Sequence, residues 1–164
     1  MSRPQSDLDA LRDDLRKVYD GDPWHGSSIT EVLKGIDADV AARRSIPHAH
    51  NIWEIVLHMT AWTREVASRV RGAPPKSPPE DWPAPQFGGG PAAWKAAKED
   101  LAAAQTEIEA AVGALKADDL IRWIESHEGA GYTVGTVIRG LLQHHTYHEG
   151  QIAILKRAAE TTKG

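Results

Sequence analysis

Three histidines at helical spacing are the residues of this chain whose types and positions could do chemistry. His144 and His148 are four residues apart, so on a helix their side chains lie one above the other on one face. Two imidazoles on one helix face can bind the same metal ion when a third ligand arrives from another helix. The same face carries apolar residues, which predicts that it points to a core: Val137, Leu141, Ile152 and Leu155.

His58 is the candidate for that third ligand, because it lies in the middle of a second helical stretch. Burying three imidazoles without partners would cost about 1–3 kcal/mol each, and a shared metal ion would remove that cost. The alternative is three histidines that are hydrogen-bonded separately. The spacing alone leaves both interpretations open.

A metal site of three histidines keeps at least one coordination position open. That position can hold a substrate atom, or a water whose pKa the metal lowers toward about 7. Structural zinc sites are usually closed by four protein ligands. A three-histidine site therefore favours a catalytic or ligand-binding role.

Glu54 precedes His58 by one helical turn and is the candidate catalytic residue, as a general base. It could also hydrogen-bond a ligating histidine or add a ligand itself. The competing interpretation is a helix cap, because Asn51 stands three residues earlier in a capping-box pattern. The cap already explains a glutamate at this position.

Four further residues are expected near the site. His145 lies about 100° of helix rotation from the ligand face, so it either supports a ligand or faces solvent. Gln151 follows His148 by three residues and could orient it. His25 and Trp62 are candidates for the pocket wall, since an indole ring offers a large apolar surface with a polar edge.

The elements that must position these residues are helical, since apolar periodicity is helical and strand signals are weak. A connection rich in proline and glycine, from Gly72 to Pro91, is long enough to cross the bundle or to fold over the mouth of a site. The pattern predicts an all-α four-helix bundle with a long crossover connection and short extra helices. The long helices are expected at about 7–19, 51–72, 92–115 and 134–159.

Shorter elements are expected between the long helices. A capping-box pattern from Ser28 to Glu31 predicts one short helix, and residues 38–44 predict another. Residues 119–125 are expected to form a third short helix, and residues 126–131 a flexible loop.

Composition sets the class of protein. The chain has 164 residues, which predicts a single domain over 1–164. Its net charge of −4 gives no reason to expect nucleic acid or an anionic membrane as a partner. No stretch is apolar enough for a membrane helix or a signal peptide, so a cytoplasmic protein is expected.

The chain has no cysteine. A metal must then be held by nitrogen and oxygen ligands, and a thiol, if the reaction uses one, must come from the substrate or a cofactor. The patterns of zincin proteases, phosphate-binding loops, serine hydrolases and di-iron bundles do not occur in the sequence.

Three segments together resemble the DinB/YfiT-like superfamily: Trp24-His25-Gly26, the run from Ile52 to His58, and the run from His144 to Ile152. The resemblance covers most of the chain. It implies a four-helix bundle with a long crossover, often a homodimer, with a metal triad at His58, His144 and His148. Zinc or nickel is the metal that it implies.

The resemblance also bears on activity. Some members are transferases that use a low-molecular-weight thiol, others are thiol-dependent isomerases, and some are classed as metal-dependent hydrolases. The first hypothesis is therefore an enzyme whose metal activates a low-molecular-weight thiol or water against a small electrophilic substrate. The alternative is a non-catalytic stress protein that binds a metal or small ligand. A bundle without metal is the third possibility.

Overall fold

The computed structural model describes residues 6–85, 89–125 and 130–161. Its helices are α1 (Asp7–Asp20), α2 (Ile29–Leu33), α3 (Ala38–Ala42), α4 (Ile52–Val70), α5 (Gly90–Gly113) and α6 (Val134–Thr161). A 3₁₀ helix (Ala117–Ile121) and two short antiparallel strands, β1 (Trp123–Glu125) and β2 (Gly131–Thr133), lie between α5 and α6. The predicted all-α class is confirmed.

The four long helices α1, α4, α5 and α6 form the bundle. Helix α4 packs against α5 and α6, and α1 packs against the same two helices from the other side. Cross-contacts give the directions. The Trp53 and Trp94 rings lie 5.4 Å apart at the start of α4 and α5, and Arg71 donates to the Glu107 carbonyl near the ends of the two helices. These two helices are therefore parallel.

Helix α6 runs antiparallel to α4. Thr63 contacts His145 within α6, whereas Arg69, which lies further along α4, contacts Tyr132 in β2, just before α6 begins. Two parallel neighbours cannot be joined by a tight turn. The connection between α4 and α5 must return over the length of α4, which is about 28 Å for its 19 residues. The predicted crossover connection is confirmed.

Side chains cap three of the helix starts, and the cap at Asn51 is the one that the sequence predicts. Ser6 and Asp37 accept hydrogen bonds from the third residue beyond them in α1 and α3. Asn51 and Glu54 form a reciprocal capping box at α4. The predicted capping box at Ser28 is wrong: Ser28 precedes α2, but its hydroxyl bonds to Thr30 instead of capping the helix.

The apolar stripes of the long helices form the core, in two clusters toward the two ends of the bundle. Four positions of the predicted α6 stripe are confirmed as buried: Leu141, His148, Ile152 and Leu155. The buried stripe also includes residues that were not predicted. Its most buried members include Ile138, His145 and Ile152, whereas Val137 and His144 are only half-buried. His144 therefore lies at the edge of the buried stripe, whereas His148 lies within it.

The segment before α6 differs from its prediction. Residues 119–125 were expected to be helical, but the 3₁₀ helix ends at Ile121 and β1 begins at Trp123. The β1–β2 ladder satisfies backbone groups that a single short helix would leave open. The predicted loop at 126–131 lies mostly outside the described residues. Within the described part of the chain, no helix is long and apolar enough to cross a membrane.

Candidate metal site

The side chains of His58, His144 and His148 converge between α4 and α6. Nε2 of His144 lies 2.9 Å from Nε2 of His58 and 3.0 Å from Nε2 of His148. The antiparallel packing of α4 on α6 brings His58 opposite the i, i+4 pair. The three residues each offer one ligand atom, and these atoms all lie within 4.8 Å of one another.

The opposite nitrogens of two of these rings fix where their hydrogens are. Nδ1 of His58 lies 2.6 Å from the Asp81 carbonyl oxygen, and Nδ1 of His148 lies 2.7 Å from Oε1 of Gln151. Both oxygens are acceptors, so each Nδ1 carries the hydrogen and each Nε2 presents a lone pair. This is the tautomer in which a histidine binds a metal through Nε2.

His144 cannot supply enough hydrogens for the cluster to be held together by hydrogen bonds alone. When neutral it carries one hydrogen, and that hydrogen would have to serve two Nε2–Nε2 contacts. Its buried Nδ1 has no hydrogen-bond partner among the described residues. If the three histidines were hydrogen-bonded separately, the two Nε2–Nε2 contacts would not share one hydrogen and Nδ1 of His144 would have a partner. A cation between the three Nε2 atoms would accept all three lone pairs.

Protonation does not supply the missing hydrogens. Burial, together with the neighbouring His148 and His58, lowers the pKa of His144 to about 4. Burial also lowers the pKa of His148. His144 and His148 are therefore neutral near pH 7, which is the state that metal binding requires. A set of imidazole nitrogens suits zinc, nickel, copper or iron, and not magnesium or calcium.

The crossover connection covers the triad on one side. The Trp82 ring stacks on His58 at 3.9 Å between ring centroids and on His50 at 3.6 Å, nearly parallel to both. The Asp81 carboxylate accepts from the Trp62 indole at 2.7 Å, while its carbonyl holds His58. Sequence reasoning foresaw a connection that could fold over the site, but no pattern pointed to Asp81 or Trp82.

His145 is buried in the core, with 1% of its surface exposed, so the solvent-facing alternative is wrong. Its Nε2 lies 2.9 Å from the Thr63 hydroxyl, whose hydrogen goes to the Met59 carbonyl. His145 is therefore the donor to Thr63. Burial lowers the pKa of His145 to about 3.

His25 lies apart from the triad. Its Nδ1 is 3.3 Å from a carboxylate oxygen of Glu149, and its Nε2 is 3.4 Å from the Thr146 hydroxyl. These partners are on the side of α6 that faces the segment after α1. His25 lines a separate cavity there with Trp24 and Tyr147. Glu149, a buried carboxylate whose pKa is raised by burial, was not singled out from the sequence.

Glu54 is held away from the triad by its neighbours. One carboxylate oxygen pairs with Arg44, and the other accepts from the Asn51 backbone and lies 3.1 Å from Nδ1 of His50. These contacts support the capping interpretation of Glu54. Both oxygens are engaged, and none of the contacts involves His58.

Two grooves reach the triad from opposite sides. One has a volume of about 330 Å³ and ends at His144, with Trp62 in its wall. The other has a volume of about 370 Å³ and ends at His148, with Trp82 and Gln151 in its wall. A reacting atom at the triad could therefore be approached by two different molecules.

The fold and the cluster together define a helical bundle with a candidate three-histidine metal site. The chain belongs to the DinB superfamily, whose family model matches residues 24–152. That range contains all three histidines, the capping box and the crossover connection. No curated protein and no solved structure matches the chain at a significant level.

Proposed function

We propose that this DinB superfamily protein is a divalent-metal-dependent enzyme. In this proposal the metal is zinc or nickel, held by His58, His144 and His148. The reaction is attack by a low-molecular-weight thiol or by water on a small electrophilic substrate. The observation that carries the proposal is the convergence of three Nε2 lone pairs, two of them fixed by hydrogen bonds at Nδ1.

A bound divalent ion of this kind lowers the pKa of a coordinated thiol or water, so that the nucleophile forms near pH 7. The chain supplies no thiol of its own, since it has no cysteine. In the proposal the Asp81 carbonyl and Gln151 orient two of the ligands, and Trp82 keeps water from one side of the site. The two grooves would let a nucleophile and an electrophile enter separately.

The test is metal content by plasma mass spectrometry, with wild-type protein beside His144→Ala. About one equivalent of zinc or nickel is expected in the wild type and much less in the variant. His48→Asn is the matched control, because His48 is exposed, takes no part in the triad and has a positive φ that asparagine tolerates. Absence of metal from the wild type after reconstitution would overturn the proposal.

Turnover separates the enzyme from a non-catalytic binding protein. The metal-loaded wild type is assayed with a panel of thiols, and with water alone, against alkylating and acylating electrophiles. Thiol- or water-dependent product that disappears in His144→Ala supports the enzyme. One equivalent of metal without product from any pair would favour the non-catalytic metal-binding alternative.

A further inference from the structure

The groove that ends at His144 has an almost wholly apolar surface. It runs between α4 and α6 from the triad toward the start of α6. The part of the groove nearest the triad is lined by apolar side chains: Trp62, Val66, Val137 and Leu141.

The polar residues at its far end are already paired with the protein. Arg69 donates to the Glu65 carboxylate at 2.9 Å, to the Tyr132 oxygen at 2.7 Å and to the Lys76 carbonyl at 2.8 Å. Its guanidinium also lies over the Trp62 ring at 5.6 Å. Glu65 balances the charge of Arg69, so an anionic ligand would gain little from this end of the groove.

The size of the groove limits its occupant. A dry apolar cavity of about 150 Å³ holds one benzene molecule, so a volume of about 330 Å³ matches one or two rings with small substituents. The groove at His148 is also lined mainly by apolar residues, but His48, His50 and Gln151 stand in its wall as well. The groove at His144 is therefore the more uniformly apolar of the two.

We infer that the groove between α4 and α6 binds the uncharged apolar body of the substrate, an aryl or similar group of one or two rings. The reactive atom would then lie at the His144 end. This inference rests on the proposed function for the identity of the ligand as substrate. The binding itself depends only on the groove.

Gly140 provides the variant that tests it. This glycine lines the groove, and a Cβ added there would meet no atom within 4 Å. Gly140→Leu should therefore fill the groove without disturbing the bundle. Gly113→Leu is the matched control. A Cβ added at Gly113 would also meet no atom within 4 Å, and Gly113 lies at the end of α5, away from the triad.

Calorimetric titration with 4-nitrotoluene and its anionic counterpart 4-nitrobenzoate measures the preference. The wild type is expected to bind 4-nitrotoluene at least tenfold more tightly than 4-nitrobenzoate. Gly140→Leu should weaken 4-nitrotoluene binding at least tenfold, and Gly113→Leu should leave it unchanged. Equal affinity for the two probes, or unchanged binding in Gly140→Leu, would overturn the inference. Val137→Phe, which narrows the same groove, repeats the test if Gly140→Leu does not fold.

His58→Ala distinguishes a failure of this inference from a failure of the proposed function. It should lose metal yet still bind 4-nitrotoluene, because His58 is not part of the groove wall. Groove-dependent binding in a protein without turnover would leave the inference standing and the enzyme proposal refuted. Turnover that Gly140→Leu does not impair would support the enzyme proposal and refute the inference about the groove.

Discussion

The position of one hydrogen on each imidazole decides what the histidines of this protein can do. His58 and His148 keep theirs on Nδ1, and His145 keeps one on Nε2 for the Thr63 hydroxyl. Residues that look alike in the sequence are therefore assigned opposite tautomers by their neighbours. Of these three histidines, only His58 and His148 present an Nε2 lone pair that a metal could bind.

The buried His145 makes stability depend on pH. Its pKa falls from 6.5 when exposed to about 3 in the fold, so between these values the unfolded chain binds a proton that the folded chain does not. Stability is then full above about pH 6.5 and declines as the pH falls. His145→Gln keeps an N–H donor without a titrating group. We expect it to reduce the slope of unfolding free energy between pH 6 and pH 4.5 by about 1.4 kcal/mol per pH unit.

The measurement is urea unfolding of metal-free protein across that pH range, with wild type and His145→Gln compared by their midpoints. Part of the slope should persist in the variant, because the pKa of His144 is also lowered, to about 4. Identical slopes in the two proteins would contradict the prediction. They would mean that His145 is protonated in the fold or that the unfolded chain shields it.

At the scale of elements, Glu54 at the start of α4 has two candidate roles, a helix cap and a general base, and substitutions can distinguish them. As a cap, Glu54 accepts from the Asn51 backbone, and glutamine can do the same through its carbonyl oxygen. Glu54→Gln should therefore keep wild-type turnover and most of the stability. Glu54→Ala should lose about 1 kcal/mol of unfolding free energy, as is typical for a lost cap. Chemical unfolding and metal content check both variants, and loss of turnover in Glu54→Gln with normal metal content would restore the general-base role.

The crossover connection contributes to the site through Trp82. Its ring stacks between His50 and His58, so it limits the rotation of one candidate ligand. Trp82→Ala is expected to weaken zinc binding about tenfold or more, the range seen when groups that orient metal ligands are removed. Competition with a chromophoric chelator measures the affinity. Trp24→Ala is the control, since Trp24 is fully exposed, and equal affinities in the two variants would contradict the prediction.

The helices and their order could be predicted from the sequence more completely than the contacts between them. Helical periodicity, the Asn51 cap and the proline-rich connection were enough to predict the bundle and its crossover. The i, i+4 pair with His58 was enough to predict a cluster that the folded chain brings together. Periodicity could not decide which of His144 and His145 is the more buried, because both positions are compatible with an apolar face. The fold places His145 in the core and leaves His144 half-buried.

Contacts made by backbone atoms and by loops lay beyond the sequence pattern. The Asp81 carbonyl holds His58 through a group that every residue possesses, so residue type gives no signal for it. The ion pair of His25 with Glu149 joins residues that are distant in the chain, and no helical spacing relates them. Such contacts depend on how the elements pack, which the spacing of side chains within each element does not specify.

For the molecule as a whole, the candidate site joins two helices that are not consecutive in the chain, since α5 lies between them. His58 is on α4 and the other two ligands are on α6, so an ion bound to all three should stabilise the folded bundle against the unfolded chain. Binding to the fold alone contributes about 2.7 kcal/mol when the free metal is 100 times Kd. For a chain of this length, that corresponds to a rise in Tm of about 5–10 °C.

Calorimetric melting with and without zinc tests this prediction, in wild type and in His148→Ala. The wild type should shift by that amount and the variant by almost nothing, each compared with its own metal-free form, so that a lower starting stability of the variant does not matter. A site formed within α6 alone would behave differently, because a His-x-x-x-His pair on one helix can hold zinc with little effect on how α4 and α6 pack. His58→Ala distinguishes the two arrangements. If its zinc-dependent shift equals that of the wild type, α4 takes no part in binding, whereas loss of the shift in both variants means that the metal clamps α4 to α6.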